Sequence, residues 1–226
     1  MPKPIIISLG GSLIVPDEVD IAYLKRFKRL ILSLTNTHRF IIVTGGGAVA
    51  RAYVQGVGNL VKTTARERDL LGITATRLNG ELLRLLFKEK AHDKVIIDPT
   101  KKENLTKPIT IAAGYQPGAS SDHVAVLLAK TYGAKTILNL SNTDYIYTAD
   151  PKKDPQAKAC KRLRWSELQK IVGTTWIGSG HFPFDPIATK KARTLGVTLY
   201  ALNGKNLNAV KHAIEHKPFK GTIVER

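Results

Sequence analysis

Apolar residues recur along this chain in two alternating patterns. Short unbroken runs at residues 5–9 and 40–43 read as strands buried on both faces. Other stretches have apolar positions three or four apart. In residues 21–34, Leu24, Phe27, Leu30, Ile31 and Leu34 share one face, and Lys25, Arg26, Lys28 and Arg29 fall mostly off it. That spacing predicts an amphipathic helix, with Pro16-Asp17-Glu18 as its entrance. A longer helical region at 63–90 has Leu70, Leu71, Ile73, Leu78, Leu82, Leu83, Leu85 and Leu86 on its apolar side, with a break expected near Gly72. Further strands are predicted at 94–97, 109–113, 135–140, 197–202 and 221–224. Further helices are predicted at 121–132, from 166, at 186–195 and at 207–215. Residues 99–107 read as polar loop, and 151–161 as a hairpin or lid. Strands alternate with helices, with no repeat and no low-complexity linker. The fold class this predicts is α/β, three-layer αβα, with a mostly parallel central sheet.

Composition narrows the setting. With 226 residues, 43% of them hydrophobic, the chain suits one large domain, or one sheet with two lobes. Its single cysteine, Cys160, excludes an internal disulfide and points to a reduced, cytoplasmic compartment. The first apolar run is too short for a signal peptide or membrane span, and no later run is long enough. Lys and Arg outnumber Asp and Glu 35 to 18, giving a net charge of +17. Such a field attracts polyanions. The basic residues are scattered through helical segments, however, and no nucleic-acid motif accompanies them, so nucleic-acid contact rests on charge alone.

The candidate chemistry lies where strands end. Gly10-Gly11-Ser12 follows the first strand; paired glycines let backbone N–H groups approach a phosphate, although a simple turn is the more common explanation of such a pair. No Gly-Lys-Ser/Thr ends the loop, so it is not a Walker A sequence. The second strand runs into Thr44-Gly45-Gly46-Gly47 and then helix-forming Ala48-Val49-Ala50-Arg51. A helix N-terminus opened by glycines is an anion site, and Arg51 lies one turn in. The strand ending at Ala113 leads into Gly114 to Asp122, a Gly/Pro-shaped loop with hydroxyls at Ser120 and Ser121. Either serine can cap the next helix; an acceptor-phosphate cradle is the functional alternative, with Asp122 beside the reacting groups. Leu140-Ser141-Asn142-Thr143-Asp144-Tyr145-Ile146-Tyr147-Thr148-Ala149-Asp150-Pro151 offers a ring to stack on a base and acceptors for a ribose. Asp69 reads as a surface acid or a ribose ligand, and Arg77 and Asn79 as helix-surface or oligomer contacts. The six histidines are scattered, and no Cys/His set has metal spacing.

In this order, Gly10-Gly11-Ser12, Gly45-Gly46-Gly47 with Arg51, Pro117-Gly118 with Asp122, and Asn142-Thr143-Asp144 with Tyr147 and Asp150-Pro151 resemble the amino acid kinase superfamily. The resemblance runs over nearly the whole chain and is nearest to the archaeal type of uridylate (UMP) kinase. It implies transfer of the γ-phosphoryl of ATP to UMP, giving UDP and ADP in pyrimidine nucleotide biosynthesis, with magnesium and a hexameric assembly. It implies an acceptor-binding lobe at about 1–135 and an ATP-binding lobe at about 136–226. Carried over by motif, Gly11, Ser12, Gly47, Arg51, Ser141, Asn142, Tyr147 and Asp150 would hold ATP. Gly46, Asp69, Tyr115, Gln116, Pro117, Gly118, Ala119, Ser120 and Ser121 would hold UMP. Arg51, Asp122, Ser120 and Ser121 would serve catalysis, with no protein-built metal site. Two readings stay open beside it: a sister kinase with another acceptor, such as isopentenyl phosphate, and a non-catalytic nucleotide- or oxyanion-binding relative. The sequence departs from the family pattern at Ser8 (often Lys), Ala48 (often Lys), Ala119 (often His) and Tyr145 (usually Gly). If the Gly at 145 needs a positive φ, Tyr would be strained there.

Overall fold

The structure is a computed structural model, described here for residues 3–151, 153–175 and 182–226. A seven-stranded sheet runs through the molecule in the order β3-β2-β1-β4-β8-β9-β7. Its strands are β1 (Ile5–Leu9), β2 (Phe40–Thr44), β3 (Ile109–Ala112), β4 (Thr136–Ser141), β7 (Arg162–Arg164), β8 (Thr198–Asn203) and β9 (Thr222–Glu225). All neighbouring pairs are parallel except β8 with β9. The expected three-layer α/β architecture is therefore present. A two-stranded antiparallel ribbon, β5 (Ile146–Tyr147) with β6 (Ala159–Cys160), makes the expected hairpin beyond β4.

The continuous apolar runs follow from burial on both faces. In β1, Ile5, Ile7 and Leu9 enter one core and Ile6 the other, because successive side chains point to opposite faces. The first core includes Leu24, Phe27 and Ile31 of α2 (Ile21–Leu34), Leu83 and Phe87 of α4 (Ala65–Phe87), and Val210 and Ile214 of α8 (Leu207–Ile214). The second includes Val124 and Leu128 of α5 (Ser121–Tyr132), Leu168 of α6 (Trp165–Val172) and Ala188 and Ala192 of α7 (Pro186–Leu195). Ser8 is the polar exception on β1; it is 2% exposed and faces the second core's side, where its hydroxyl donates to Asp122.

The structure corrects several boundaries. Helix α2 begins at Ile21 rather than at Pro16, because Asp20 supplies the N-cap, accepting from the Tyr23 N–H at 2.8 Å. Helix α4 passes through Gly72 unbroken; a Cβ there would meet nothing, so this glycine faces open space and its cost is one of propensity alone. Residues 94–97 form no strand and contribute only the bridge Ile96↔Ala112. Asp93 before this run and Asp98-Pro99 after it leave little room for a ladder, and Pro lacks the needed donor. Conversely, β7 was not expected, because Arg162-Leu163-Arg164 has too short a pattern to read. The loop segment Gly178-Ser179-Gly180 lies outside the described residues. No helix among them is long and apolar enough to cross a membrane.

Candidate active site

Strands β3, β2, β1 and β4 are parallel neighbours, so their carboxyl ends share one sheet edge. The four predicted loops leave from those ends. In open α/β sheets this edge is where ligands bind.

Two glycine loops pack backbone against backbone at its centre. Helix α1 (Gly11–Ile14) follows β1 after Gly10, and α3 (Gly47–Leu60) follows β2. A Cβ on Gly11 would strike the Gly47 nitrogen and stand 2.7 Å from the Gly46 nitrogen. Gly47 has φ +64°, a left-handed conformation, and a Cβ there would lie 2.5 Å from the Gly11 carbonyl oxygen and 2.7 Å from that of Val15. The Gly10 N–H donates to the Leu140 carbonyl at 2.9 Å, tying the first loop to the end of β4. Arg51 reaches back across both loops. Its guanidinium donates to the Ser12 hydroxyl at 3.2 Å and to the Pro16 carbonyl at 3.0 Å. The fold thus brings Gly11, Ser12, Gly47 and Arg51 together, with Gly46 beside them.

Helix α4 braces this arrangement from behind. Asn79 is 2% exposed and donates to the carbonyls of Gly45 (2.8 Å) and Gly46 (3.2 Å). The expectation of a surface or oligomer contact at Asn79 is therefore wrong: the residue belongs to the scaffold of the glycine loop. Thr44 donates its hydroxyl to the Thr76 carbonyl at 2.8 Å, and the Gly114 N–H donates to the Thr76 hydroxyl at 2.8 Å. Arg77 is likewise turned inward, donating to the carbonyls of Gly114 and Tyr115, both at 3.1 Å. A helix-surface pattern hides such contacts, because their partners lie more than 30 residues away in sequence.

Asp69 meets the loop after β3 directly. Its carboxylate accepts from the Gly118 N–H at 2.8 Å, and Gly118 has φ +81°, a turn conformation that favours glycine. The Ala119 N–H closes the turn on the Gln116 carbonyl at 3.1 Å. Tyr115 and Pro117 complete this loop, which ends at Ser120, the N-cap of α5.

A partly buried polar cluster lies under the α5 entrance, with Ser8 and Asp185 fully enclosed and Asp122 half-buried. The Ser8 hydroxyl donates to Asp122 at 2.9 Å, and the Asp185 N–H donates to the other Asp122 oxygen at 3.3 Å. Burial pushes the Asp122 carboxyl up to about 7; the Ser8 hydrogen bond opposes this and the neighbouring Asp185 charge adds to it. Asp185, 1% exposed, caps α7 by accepting from the N–H groups of Ile187 (2.6 Å) and Ala188 (3.0 Å). Its second oxygen accepts from the Ser120 hydroxyl. Asp followed by Pro before an apolar helix is a legible cap signal, but its partnership with Ser120 is not. His123 beside this cluster is held below its usual pKa, first by burial and then by the Lys191 ammonium 2.7 Å from its Nε2.

The fourth loop is tied in at one end. The Ser141 hydroxyl lies 3.0 Å from the Thr143 hydroxyl and accepts from the Thr143 N–H at 3.2 Å, and Asn142 is exposed. Asp144 is gripped by the Lys220 ammonium and by the Asn203 amide at 3.0 Å. Tyr145 needs no positive φ: among the described non-glycine residues only Lys88 and His216 adopt one. The turn is built without the strain that Gly would relieve, and the Tyr145 ring packs edge-on against Tyr147 with centroids 6.4 Å apart. Tyr147 and Asp150 stand beyond β4 on and after the ribbon, and no hydrogen bond or ring contact joins Tyr147 to the glycine loops. Among the described residues no group of three or more His, Cys, Asp or Glu is placed to hold a metal.

The sequence profile of the amino acid kinase family matches residues 3–203. A uridylate kinase of Pyrococcus abyssi (strain GE5 / Orsay) is 32% identical over 224 residues, covering 98% of this chain and 99% of its own. One from Methanocorpusculum labreanum is 33% identical, covering 97% and 94%. The crystal structure of uridylate kinase from Archaeoglobus fulgidus superposes with a TM-score of 0.84 at 30% identity, over 98% of this chain and 99% of the other. With a profile match over most of its length and relatives above 30% identity end to end, this chain belongs to the amino acid kinase family.

Proposed function

We propose that the chain is a uridylate kinase, transferring the γ-phosphoryl group of ATP to UMP to give UDP and ADP. The observation that carries this is the joining of two glycine loops, through Arg51, on one sheet edge, with the Asp69–Gly118 clasp beside them. The likeness to proteins named uridylate kinase selects the acceptor. An oxygen of the UMP phosphate attacks the γ-phosphorus, the bond from γ-phosphorus to the β–γ bridging oxygen breaks, and ADP leaves with that oxygen. The second pKa of a phosphate monoester is about 6, so the attacking group is already ionised near neutral pH and needs no strong base. Positioning and charge neutralisation then do the work.

On this reading Gly11, Ser12, Gly47 and Arg51 hold the ATP phosphates, and Ser141, Asn142, Tyr147 and Asp150 hold its nucleoside. Gly46, Asp69 and residues 115–121 hold UMP. Asp122 keeps the Ser8 end of β1 and the α7 entrance in register, and is not a general base. Magnesium enters on ATP, because it binds mostly through substrate phosphates and retained waters and needs no protein cage. Residues 1–135 would serve the acceptor and 136–226 the donor. Self-association, as a hexamer on the family resemblance, is part of the same reading. It is supported by α3, which buries no residue in the single chain, and by exposed Leu60 (82%) and Leu78 (61%). The lone free Cys160 fits a cytoplasmic setting. The test is turnover of Arg51→Ala and Asp122→Asn with Mg-ATP and UMP. Both should lose at least tenfold in kcat while keeping the wild-type circular dichroism; near-normal turnover in both would remove the assignment.

A further inference from the structure

The two adjacent serines at the α5 entrance are not equivalent. A serine hydroxyl has one proton to donate. The Ser120 hydroxyl gives that proton to Asp185 and accepts from the His123 N–H at 3.1 Å as the helix cap. It has no donor left for an anion. The Ser121 hydroxyl has no hydrogen-bond partner among the described residues, and Ser121 is half-buried at the first position of α5. A phosphate dianion accepts and cannot donate, so only Ser121 can serve it through a side-chain hydroxyl.

Asp185 is what creates this division. Its carboxylate is fully engaged: one oxygen takes two backbone N–H groups of α7, and the other takes Ser120. Its own N–H donates to Asp122, which in turn holds Ser8 on β1. One buried residue therefore links the α7 entrance, the α5 entrance and the central strand. We propose that Asp185 is a positioning residue for phosphoryl transfer: by taking the Ser120 proton it commits Ser120 to the scaffold and leaves Ser121 as the hydroxyl that donates to the acceptor phosphate. This rests on the acceptor site read above for residues 115–121.

The experiment is a set of steady-state measurements on Ser121→Ala, Ser120→Ala, Asp185→Asn and the doubles D185N/S120A and D185N/S121A. Each is assayed with Mg-ATP and, separately, UMP, CMP, dUMP and isopentenyl phosphate. Asn at 185 can still cap α7 through its amide oxygen, but its NH2 cannot accept the Ser120 proton. D185N thus removes the anchor with the cap kept, and circular dichroism checks the fold. The expected results are a rise of about tenfold in the acceptor KM for S121A with the ATP KM unchanged, and a smaller acceptor KM change for S120A. D185N should lower kcat/KM for the acceptor by 10- to 100-fold, the scale of about a 1 Å misplacement. Because Asp185 acts through Ser120 to leave Ser121 as the donor, D185N/S120A should be no worse than D185N, and D185N and S121A should combine to less than their product. The inference is overturned if S120A carries the acceptor KM loss, or if D185N and S120A multiply. The expected pattern on an acceptor other than UMP would remove the uridylate reading and keep this one. The wrong pattern on UMP would do the reverse, and no transfer to any of the four would remove both.

Discussion

The backbones of Gly11 and Gly47 are in such close contact that neither position has room for a side chain. A Cβ at Gly11 would meet the Gly47 nitrogen, and one at Gly47 would meet the Gly11 carbonyl oxygen. The obstacles are backbone atoms, which cannot swing aside as a side-chain end can. Gly11→Ala and Gly47→Ala should therefore push the two glycine loops apart, with a loss of at least 100-fold in kcat/KM for Mg-ATP or outright misfolding. Steady-state kinetics and thermal melting check this together. Wild-type kinetics in a well-folded Gly11→Ala protein would show that the loops do not need this contact.

Asn79 makes a separate prediction. Its amide is the buried donor for two carbonyls of the Gly45–Gly46 turn. Asn79→Ala leaves those oxygens without a partner in a site water reaches poorly, which costs about 1–3 kcal/mol. Urea unfolding should show that loss, and the surviving folded protein should have a raised KM for both nucleotides. A loss confined to one nucleotide would mean that Asn79 serves a ligand rather than the turn.

These two residues also show how far the sequence could be read. Gly11 and Gly47 were legible because glycines directly after buried strands mark a close approach of backbone. Strands β1, β2, β3, β4, β8 and β9 and the helices 121–132 and 186–195 were legible because an unbroken apolar run or a capped, periodic segment has few other uses; the run at 94–97 and the short β7 show where that rule fails. Asn79, Thr76 and Arg77 were not. A polar residue on a helix looks solvent-facing until the fold brings a carbonyl to it. Asp185 was half-legible: the cap could be inferred from Asp-Pro, but Ser120 is 65 residues away. The concern over Tyr145 was a local rule applied to a turn whose backbone differs from the one the rule assumes.

Asp122 should give the protein a pH signature. Its carboxyl keeps its proton up to about 7 in the fold and releases it at its ordinary value of 3.8 when unfolded. The folded state thus holds the extra proton between those values, so this group's contribution to stability falls as pH rises through that window. Below it the contribution is fully present; above it the buried carboxylate is charged. Asp185 faces it from α7, with His123 and Lys191 beyond. Asp122→Asn removes the charge, so its melting temperature relative to wild type should rise between pH 5 and pH 8.5, by several degrees for about 1 kcal/mol or more. A melting difference independent of pH would contradict the buried, proton-holding carboxyl.

On the proposed function Asp69 is the specificity element on the acceptor side. It orients the Gly118 turn and is the carboxylate assigned to the uridine ribose. Asp69→Ala should raise the UMP KM by about 10-fold, the worth of about 1.4 kcal/mol, and leave the ATP KM within twofold. Equal increases in both would place Asp69 in the general scaffold.

The central claim is the identity of the acceptor, and the direct measurement is ADP release from Mg-ATP with UMP, CMP, dUMP and isopentenyl phosphate supplied one at a time. The account predicts turnover largely confined to UMP, with UDP as the phosphorylated product. Turnover with isopentenyl phosphate in place of UMP, or nucleotide binding without ADP release from any of the four, would contradict it.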